Sequence, residues 1–274
     1  MDLKNLGSTS VKVPALGAGT WAMGGGTLRN TDGDEESIRA LRRAIELGMY
    51  LIDTAEMYGD GHCEELVGEA IKPFPREQLF IVSKVWHNHM HYADVIKAAE
   101  HSLKRLQTDW IDLYLTHYPS LEVPMNETME AMESLVERNL VRFIGVSNFN
   151  VAQMEEATSC FSKGEIVANQ VDYSLAARSA EKDVLPYCTQ HQLTVMAYSP
   201  LAKGELARNE FLHDIGKKYG KTAAQVALNW LITQEGVIAI PKAVNLNHLE
   251  QNADAAGWTL SKEDRERISQ HFRQ

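Results

Sequence analysis

Short apolar runs recur along this chain at nearly constant spacing, and that spacing restricts the fold more than any other feature. Residues 15–20, 49–53, 80–84, 111–117, 141–147, 167–171, 193–198 and 237–240 form such runs. Each has the length, about 4–8 residues, of a strand buried on both faces. Their starts lie 34, 31, 31, 30, 26, 26 and 44 residues apart. Helical periodicity fills the gaps. Ile38, Leu41 and Ile45 share a face, as do Ile96, Ala99, Leu103 and Leu106, then Met129, Met132 and Val136, then Ala223, Val226 and Trp230. That is the 3.6-residue period of half-buried helices. Asn126-Glu127-Thr128 is expected to open one helix, and Thr222 with Gln225 to form a capping box on another. Eight strand–helix units predict an α/β fold closed as a (β/α)8 TIM barrel, since an open doubly wound sheet normally has fewer strands or a break in the pattern. No Pro/Gly/Ser linker interrupts the rhythm, so residues 1–274 are read as one barrel domain. Residues 3–14 are too short for a barrel unit. Their Gly7-Ser8-Thr9 turn predicts a β-hairpin capping one end.

The formal net charge of −10 argues against a nucleic-acid binder, which needs clustered Lys and Arg. No run of about 18 apolar residues is present, so no membrane span is expected. The start, Met1-Asp2-Leu3-Lys4, lacks a secretory pattern. Cys63, Cys160 and Cys188 show no Cys-x-x-Cys spacing, which fits reduced thiols and a cytoplasmic location. A small molecule is the expected partner, and a monomer the expected state.

In a barrel of this kind catalytic groups stand where strands end. Here those positions hold Asp53, Lys84, His117, Ser147-Asn148, Gln170 and Tyr198-Ser199, with Tyr58 five residues beyond Asp53. Polar residues that close apolar strands are expensive unless paired or used. Asp53, Tyr58, Lys84 and His117 make a coherent proton-delivery set. A lysine cation beside the phenol is expected to favour phenolate, and an aspartate beside that lysine to keep it charged and aimed. Histidine is expected to donate a hydrogen bond to a carbonyl oxygen or to relay protons. No Gly-x-Ser-x-Gly appears, so acyl transfer is disfavoured.

Gly17-Ala18-Gly19-Thr20-Trp21, Asp53-Thr54-Ala55-Glu56-Met57-Tyr58-Gly59, Ser83-Lys84-Val85-Trp86, Asp112-Leu113-Tyr114-Leu115-Thr116-His117, Gly145-Val146-Ser147-Asn148-Phe149, Asn169-Gln170, Ala197-Tyr198-Ser199-Pro200-Leu201 and Ile240-Pro241-Lys242 occur in this order across nearly the whole chain. Together they resemble the motifs of aldo-keto reductases. The resemblance implies NAD(P)H-dependent reduction of a carbonyl, or the reverse oxidation. Tyr58 would be the general acid–base, Lys84 and Asp53 its tuning pair, and His117 the donor that positions the carbonyl. It further implies that Ser147, Asn148 and Gln170 bind the nicotinamide carboxamide and that Tyr198 stacks on its ring. Gly19, Thr20 and Asp53 would lie beside its ribose, Ser199 and Leu201 at the pyrophosphate, and Lys242 with residues 245–252 at the adenosine end.

Several positions depart from the commonest NADPH-using pattern. Ala243 stands where a Ser or Thr is usual, His248 where an arginine is, and Gln251 where a glutamate precedes Asn252. Lys242 can meet a 2′-phosphate as a point charge. NADPH is favoured and NADH stays open. Residues 203–242 carry six Lys or Arg against four Asp or Glu, a local positive balance where the dinucleotide phosphates are expected.

Trp21, Trp86 and His117 are the expected substrate contacts. The short loop after Trp86 leaves an open pocket suited to small polar aldehydes, diketones or keto sugars. His87, His89 and His91 alternate in that loop without a cysteine or carboxylate at metal-ligand spacing. They are read as solvated, with His87 near the substrate, and no metal is expected. Cys63 falls at an expected helix start, where a thiol can acidify, and is read as a stand-in for a serine cap. Two other readings compete. A Schiff-base barrel lyase could use Lys84, and a nicotinamide-sensing regulatory subunit would turn over little substrate.

Overall fold

A computed structural model describes residues 1–273. Strands β1 (Leu3–Asn5) and β2 (Lys12–Pro14) pair antiparallel as the expected hairpin. Its turn needs a glycine. Gly7 has φ +55°, and a Cβ there would lie 2.7 Å from the Val167 carbonyl oxygen. Gly7 N donates to Thr194 Oγ1 at 2.8 Å and Lys4 Nζ donates to the Gln234 carbonyl, so the hairpin is bound to the barrel. Leu6 and Val13 are buried and join Leu51, Val82, Leu113 and Ile238 in one apolar cluster.

The barrel strands are β3 (Ala18–Gly19), β4 (Leu51–Asp53), β5 (Phe80–Val85), β6 (Ile111–Thr116), β7 (Val141–Ser147), β8 (Ile166–Asp172), β9 (Thr194–Tyr198) and β10 (Val237–Ala239). All neighbours run parallel in sequence order. A bridge between Leu16 and Ala239 closes the ring, with Gly17 N donating to Ala239 O and Ala239 N to Ala15 O, both at 2.9 Å. The eight-strand expectation holds. The first strand is shorter than its apolar run because only Ala18 and Gly19 find ladder partners in β4.

Helices α1 (Asp34–Glu46), α2 (His62–Ile71), α3 (Tyr92–Leu106), α4 (Met125–Glu137), α5 (Val151–Ser159) and α6 (Val184–Gln190) separate the strands from β3 to β9. The 44-residue spacing before β10 is explained by two helices, α7 (Glu210–Lys217) and α8 (Ala223–Ile232), rather than one. Helices α9 (Leu246–Ala253) and α10 (Lys262–His271) complete the fold. Two expectations are corrected. Helix α4 starts at Met125 behind Pro124, whose fixed φ suits a helix entrance, so Asn126 sits inside the first turn. Helix α8 keeps its capping box at Thr222 and Gln225, but all ten of its residues are buried rather than one face. Its outer faces are covered by α7 on one side and by α9 and the segment after it on another: Asn229 Nδ2 donates to Ala255 O at 3.0 Å and Trp258 O at 2.9 Å, and Trp230 Nε1 to Ser269 Oγ of α10 at 3.0 Å.

The amino-terminal end of the barrel carries its own ion cluster. Buried Asp112 accepts from Arg142 Nη1 at 2.6 Å, Arg76 Nη2 at 2.7 Å, Ile81 N at 2.9 Å and Trp110 Nε1 at 3.2 Å. Asp112→Ala is expected to cost about 2–3 kcal/mol in urea denaturation. That lies below the range for a fully buried pair because Arg142 keeps water contact. A loss below about 0.5 kcal/mol would show that the cluster adds nothing to stability.

Candidate active site

The strand-end residues do converge. A cavity of about 530 Å³ at the carboxyl end of the barrel is lined by Gly19, Thr20, Trp21, Asp53, Tyr58, Trp86, His117, Ser147, Asn148, Gln170, Tyr198, Ser199, Leu201 and Lys242. Beneath its floor lies Lys84 on β5, fully buried. Its ammonium donates to Asp53 Oδ2 at 2.8 Å, to the Thr54 carbonyl at 2.9 Å and to Tyr58 Oη at 3.1 Å. All three N–H donors of the lysine are thereby engaged. Asp53, at the end of β4, spends its other oxygen on Gln170 Nε2 at 2.7 Å.

Tyr58 sits in the turn between β4 and α2. The turn needs a glycine at 59, where φ is +59° and a Cβ would come within 2.3 Å of the Gly24 carbonyl oxygen. Trp21 packs edge-on against the Tyr58 ring at 5.0 Å, and His117 does so on another side at 5.7 Å. Trp86 lies 4.9 Å from His117, which in turn stacks on Tyr118 at 5.4 Å.

Burial pushes the Tyr58 phenol above its ordinary 10.0, and Lys84 only partly offsets it. The cation does favour phenolate as expected, but burial outweighs it. In a dry site, desolvation of a bare phenolate outweighs one ammonium already committed to Asp53. Burial also opposes the Lys84 charge, but Asp53 prevails and holds the ammonium above its usual value. His117 is pushed down from 6.5 to about 2, first by burial and then by Lys84 and His87. It is a neutral imidazole. Its Nδ1 is sealed without a partner, which leaves Nε2 as the nitrogen open to the cavity.

The depressed His117 value has a consequence for folding. The unfolded chain takes up a proton near pH 6.5 that the folded chain refuses until about pH 2. Stability is therefore whole above 6.5 and drains as pH falls toward 2. Relative to His117→Asn, the wild type should lose roughly 2 kcal/mol between pH 7 and pH 5, as read by urea denaturation. A difference independent of pH would refute the assignment.

Along the far side, Ser147 Oγ donates to Gln170 O at 3.0 Å. Asn148 Nδ2 donates to His117 O and to Ser147 Oγ, each at 3.0 Å, and Tyr198 Oη donates to Asn148 Oδ1 at 2.9 Å. Asn148 and Ser199 both adopt left-handed backbone, with φ of 62° and 49°, which turns the chain sharply as each strand ends. Thr20 hydroxyl is committed to the Asp53 carbonyl at 2.8 Å.

Not every expected residue reaches this cavity. His248, Gln251 and Asn252 lie on α9, outside its lining, and Asn252 is buried. Of the basic stretch 203–242, Lys217 pairs with Asp214, Lys218 with Asp264 and Lys221 with Asp254, so only Lys203 and Lys242 line the cavity. Sequence reasoning missed Met57, Tyr118 and Lys203. Tyr118 follows His117 directly, and Lys203 lay within the basic stretch, so both had a signal.

Cys63 is also corrected. The helix cap is Gly61, while the Cys63 thiol is buried and donates to the Thr20 carbonyl at 3.4 Å. Burial pushes it up to about 11, so it is no acidified nucleophile. The alternating histidines each meet something different. His87 packs on Trp86 at 4.5 Å, His89 Nδ1 lies 3.0 Å from Glu56 Oε1, and His91 Nδ1 lies 3.1 Å from Glu127 Oε1. Carboxylates do accompany two of them, from distant segments that spacing could not show. Among the described residues no group of three or more His, Cys, Asp or Glu is set to hold a metal.

A phenol, an ammonium, a carboxylate and an imidazole thus converge at the carboxyl ends of the strands of a parallel barrel, an arrangement chemically able to hold and hand over a proton. The aldo/keto reductase family model matches residues 15–273. The chain is 44% identical over 259 residues to methylglyoxal reductase YeaE of Escherichia coli (strain K12), covering 93% of this chain and 89% of that protein. A thermostable aldo-keto reductase solved with the inhibitor epalrestat superposes with a TM-score of 0.95 at 45% identity, over 98% of this chain and 99% of the other. An aldo/keto reductase from Klebsiella pneumoniae, solved with NADP and acetate, gives 0.89 at 42% identity, over 95% and 92%. The chain belongs to the aldo/keto reductase family of oxidoreductases.

Proposed function

We propose that this protein reduces small aldehydes and ketones to alcohols with NADPH, using Tyr58 as the general acid. One observation carries the reading. Lys84 Nζ lies within hydrogen-bond distance of both Asp53 and Tyr58 at the floor of a cavity that His117 overlooks. The raised phenol value supports the acid role, because Tyr58 then holds its proton at neutral pH until a developing alkoxide takes it. Neutral His117 presents Nε2–H to the carbonyl oxygen, fixing it beside the phenol. Lys84 stabilises the phenolate left behind, and Asp53 keeps that ammonium charged and aimed.

The residues fit a dinucleotide. The cavity runs from Asp53 and Tyr58 along Ser147, Asn148 and Gln170 to Ser199 through Gly204 and Ile240 through Lys242. Amide and hydroxyl groups suited to a carboxamide lie near the catalytic set, and the cations Lys203 and Lys242 mark the phosphate end. When bound, reduced nicotinamide supplies the hydride. Ser147, Asn148 and Gln170 would hold its carboxamide and Tyr198 its ring. Gly19 and Thr20 would flank the ribose, Ser199 and Leu201 the pyrophosphate, and Lys242 a 2′-phosphate. His248, Gln251 and Asn252 would serve the adenosine from α9. Trp21 and Trp86 would wall the substrate.

A Schiff-base lyase fits less well, because imine formation needs a neutral amine and Lys84 is held charged with every N–H engaged. Absorbance at the reduced-nicotinamide band, followed with NADPH and NADH in parallel across aldehydes, diketones and keto sugars, tests the reading. Oxidation of NADPH by several carbonyls is expected. No oxidation of either cofactor by any of them would overturn it in favour of a regulatory subunit. One monomeric barrel acting in the cytoplasm completes the proposal.

A further inference from the structure

Glu56 lies in the turn that carries Tyr58, and its carboxylate points away from the catalytic set. Oε1 accepts from the backbone N–H of Trp86 at 2.6 Å and lies 3.0 Å from His89 Nδ1. The Glu56 side chain is only 10% exposed while that of His89 is 47% exposed, so the carboxylate is sunk between the two loops. A nearly buried carboxylate that bonds a backbone N–H is costly to remove and directional while present. Its donor N–H belongs to the residue whose ring forms the His117 side of the cavity. Trp86 packs edge-on against His117 and Tyr118 and carries His87 on its other surface. Trp21 stands on the Tyr58 side. The two tryptophans thus flank the Tyr58–His117 pair; Lys84 ties the turn holding the acid to the end of β5, and beyond that strand the Glu56 carboxylate ties the turn to the Trp86 backbone.

We propose that Glu56 is a positioning residue that fixes Trp86 against the Tyr58 turn and thereby sets affinity for carbonyl substrates bearing a planar aromatic group. It acts through Trp86 and touches neither substrate nor cofactor. A planar ring attached to the carbonyl needs the wall at one spacing to stack or pack edge-on, because aromatic contacts decay over an ångström or two. A carbonyl with only a methyl group makes little contact with that wall. The loss of Glu56 should therefore separate the two kinds of substrate. The inference rests on the carbonyl-reductase reading above.

The test compares wild type, Glu56→Ala and Glu56→Gln with benzaldehyde and with methylglyoxal, alongside amide hydrogen exchange at Trp86 without substrate. Glu56→Ala is expected to raise KM for benzaldehyde about tenfold, by loss of roughly one well-made aromatic contact. Its kcat and its KM for methylglyoxal should stay within about threefold, and Trp86 amide exchange should rise at least tenfold as its partner is lost. Glu56→Gln keeps an acceptor for the Trp86 N–H and should recover most of the benzaldehyde KM and the exchange protection. Equal KM changes for both substrates, or a Gln variant as impaired as the Ala variant, would overturn the inference. If wild type turned over neither carbonyl, the reductase reading would fail on its own. Trp86 exchange unchanged in Glu56→Ala would overturn the clamp independently of turnover.

Discussion

Replacing Tyr58 by Phe is expected to lower NADPH-dependent carbonyl reduction by about 10²–10⁴-fold while leaving NADPH affinity within a few-fold of wild type. The change removes a single oxygen. Its ring keeps its edge contacts with Trp21 and His117, and Lys84 keeps Asp53 and the Thr54 carbonyl as acceptors, so the fold should persist. What disappears is the Tyr58 proton, held by a phenol that burial raises above its ordinary value and that is hydrogen-bonded to a cation able to stabilise the charge left behind. The loss should fall on kcat and kcat/KM together, the signature of an interaction made in the transition state. Steady-state cofactor oxidation and fluorescence titration with NADPH separate the two effects. A variant within threefold of wild type in kcat would remove Tyr58 from the mechanism.

Lys84→Met should have two large effects at once. Turnover should fall at least as far as for Tyr58→Phe, since the phenolate would form without a counter-charge in a site from which water is excluded. The fold should also weaken by about 3–5 kcal/mol, because Asp53 would keep its buried charge with only Gln170 Nε2 as donor. Urea denaturation reads the second effect. Adding Asp53→Asn removes the stranded charge, so the double variant should regain a good part of the stability while remaining inactive. Recovery of activity in the double variant would mean that the lysine serves only the fold. A single variant as stable as wild type would mean that the Lys84–Asp53 pair is not load-sharing in the native state.

Much of the barrel and of the residues around its cavity is legible in the sequence. Two-face-buried strands leave apolar runs, and the polar residues that end them are few and costly, so Asp53, Lys84, His117, Asn148, Gln170 and Tyr198 stand out in a linear string. Other features were not legible, for identifiable reasons. The complete burial of α8 depends on partners beyond its own periodicity, α7 before it and the segment around α9 after it, where Asn229 bonds the Ala255 and Trp258 carbonyls. The partners of His89 and His91 come from the Tyr58 turn and from α4, so no local spacing announces Glu56 or Glu127. The basic stretch before β10 looked like one phosphate platform, yet three of its lysines turn to carboxylates of α7, α9 and α10 or their flanks.

The spacing of apolar runs by itself determined the closed parallel barrel, because a segment either can or cannot bury both faces, and that property is written in residue type. The strand-end positions of Asp53, Lys84 and His117 followed too, and the structure brings them together with Tyr58 around one cavity. Only the tertiary structure decided the sign of the Tyr58 shift. A neighbouring lysine pulls a phenol down and burial pushes it up, and the outcome turns on depth and on how far Asp53 already claims the ammonium. Those are properties of three-dimensional packing, and they hold the Tyr58 phenol above its ordinary value.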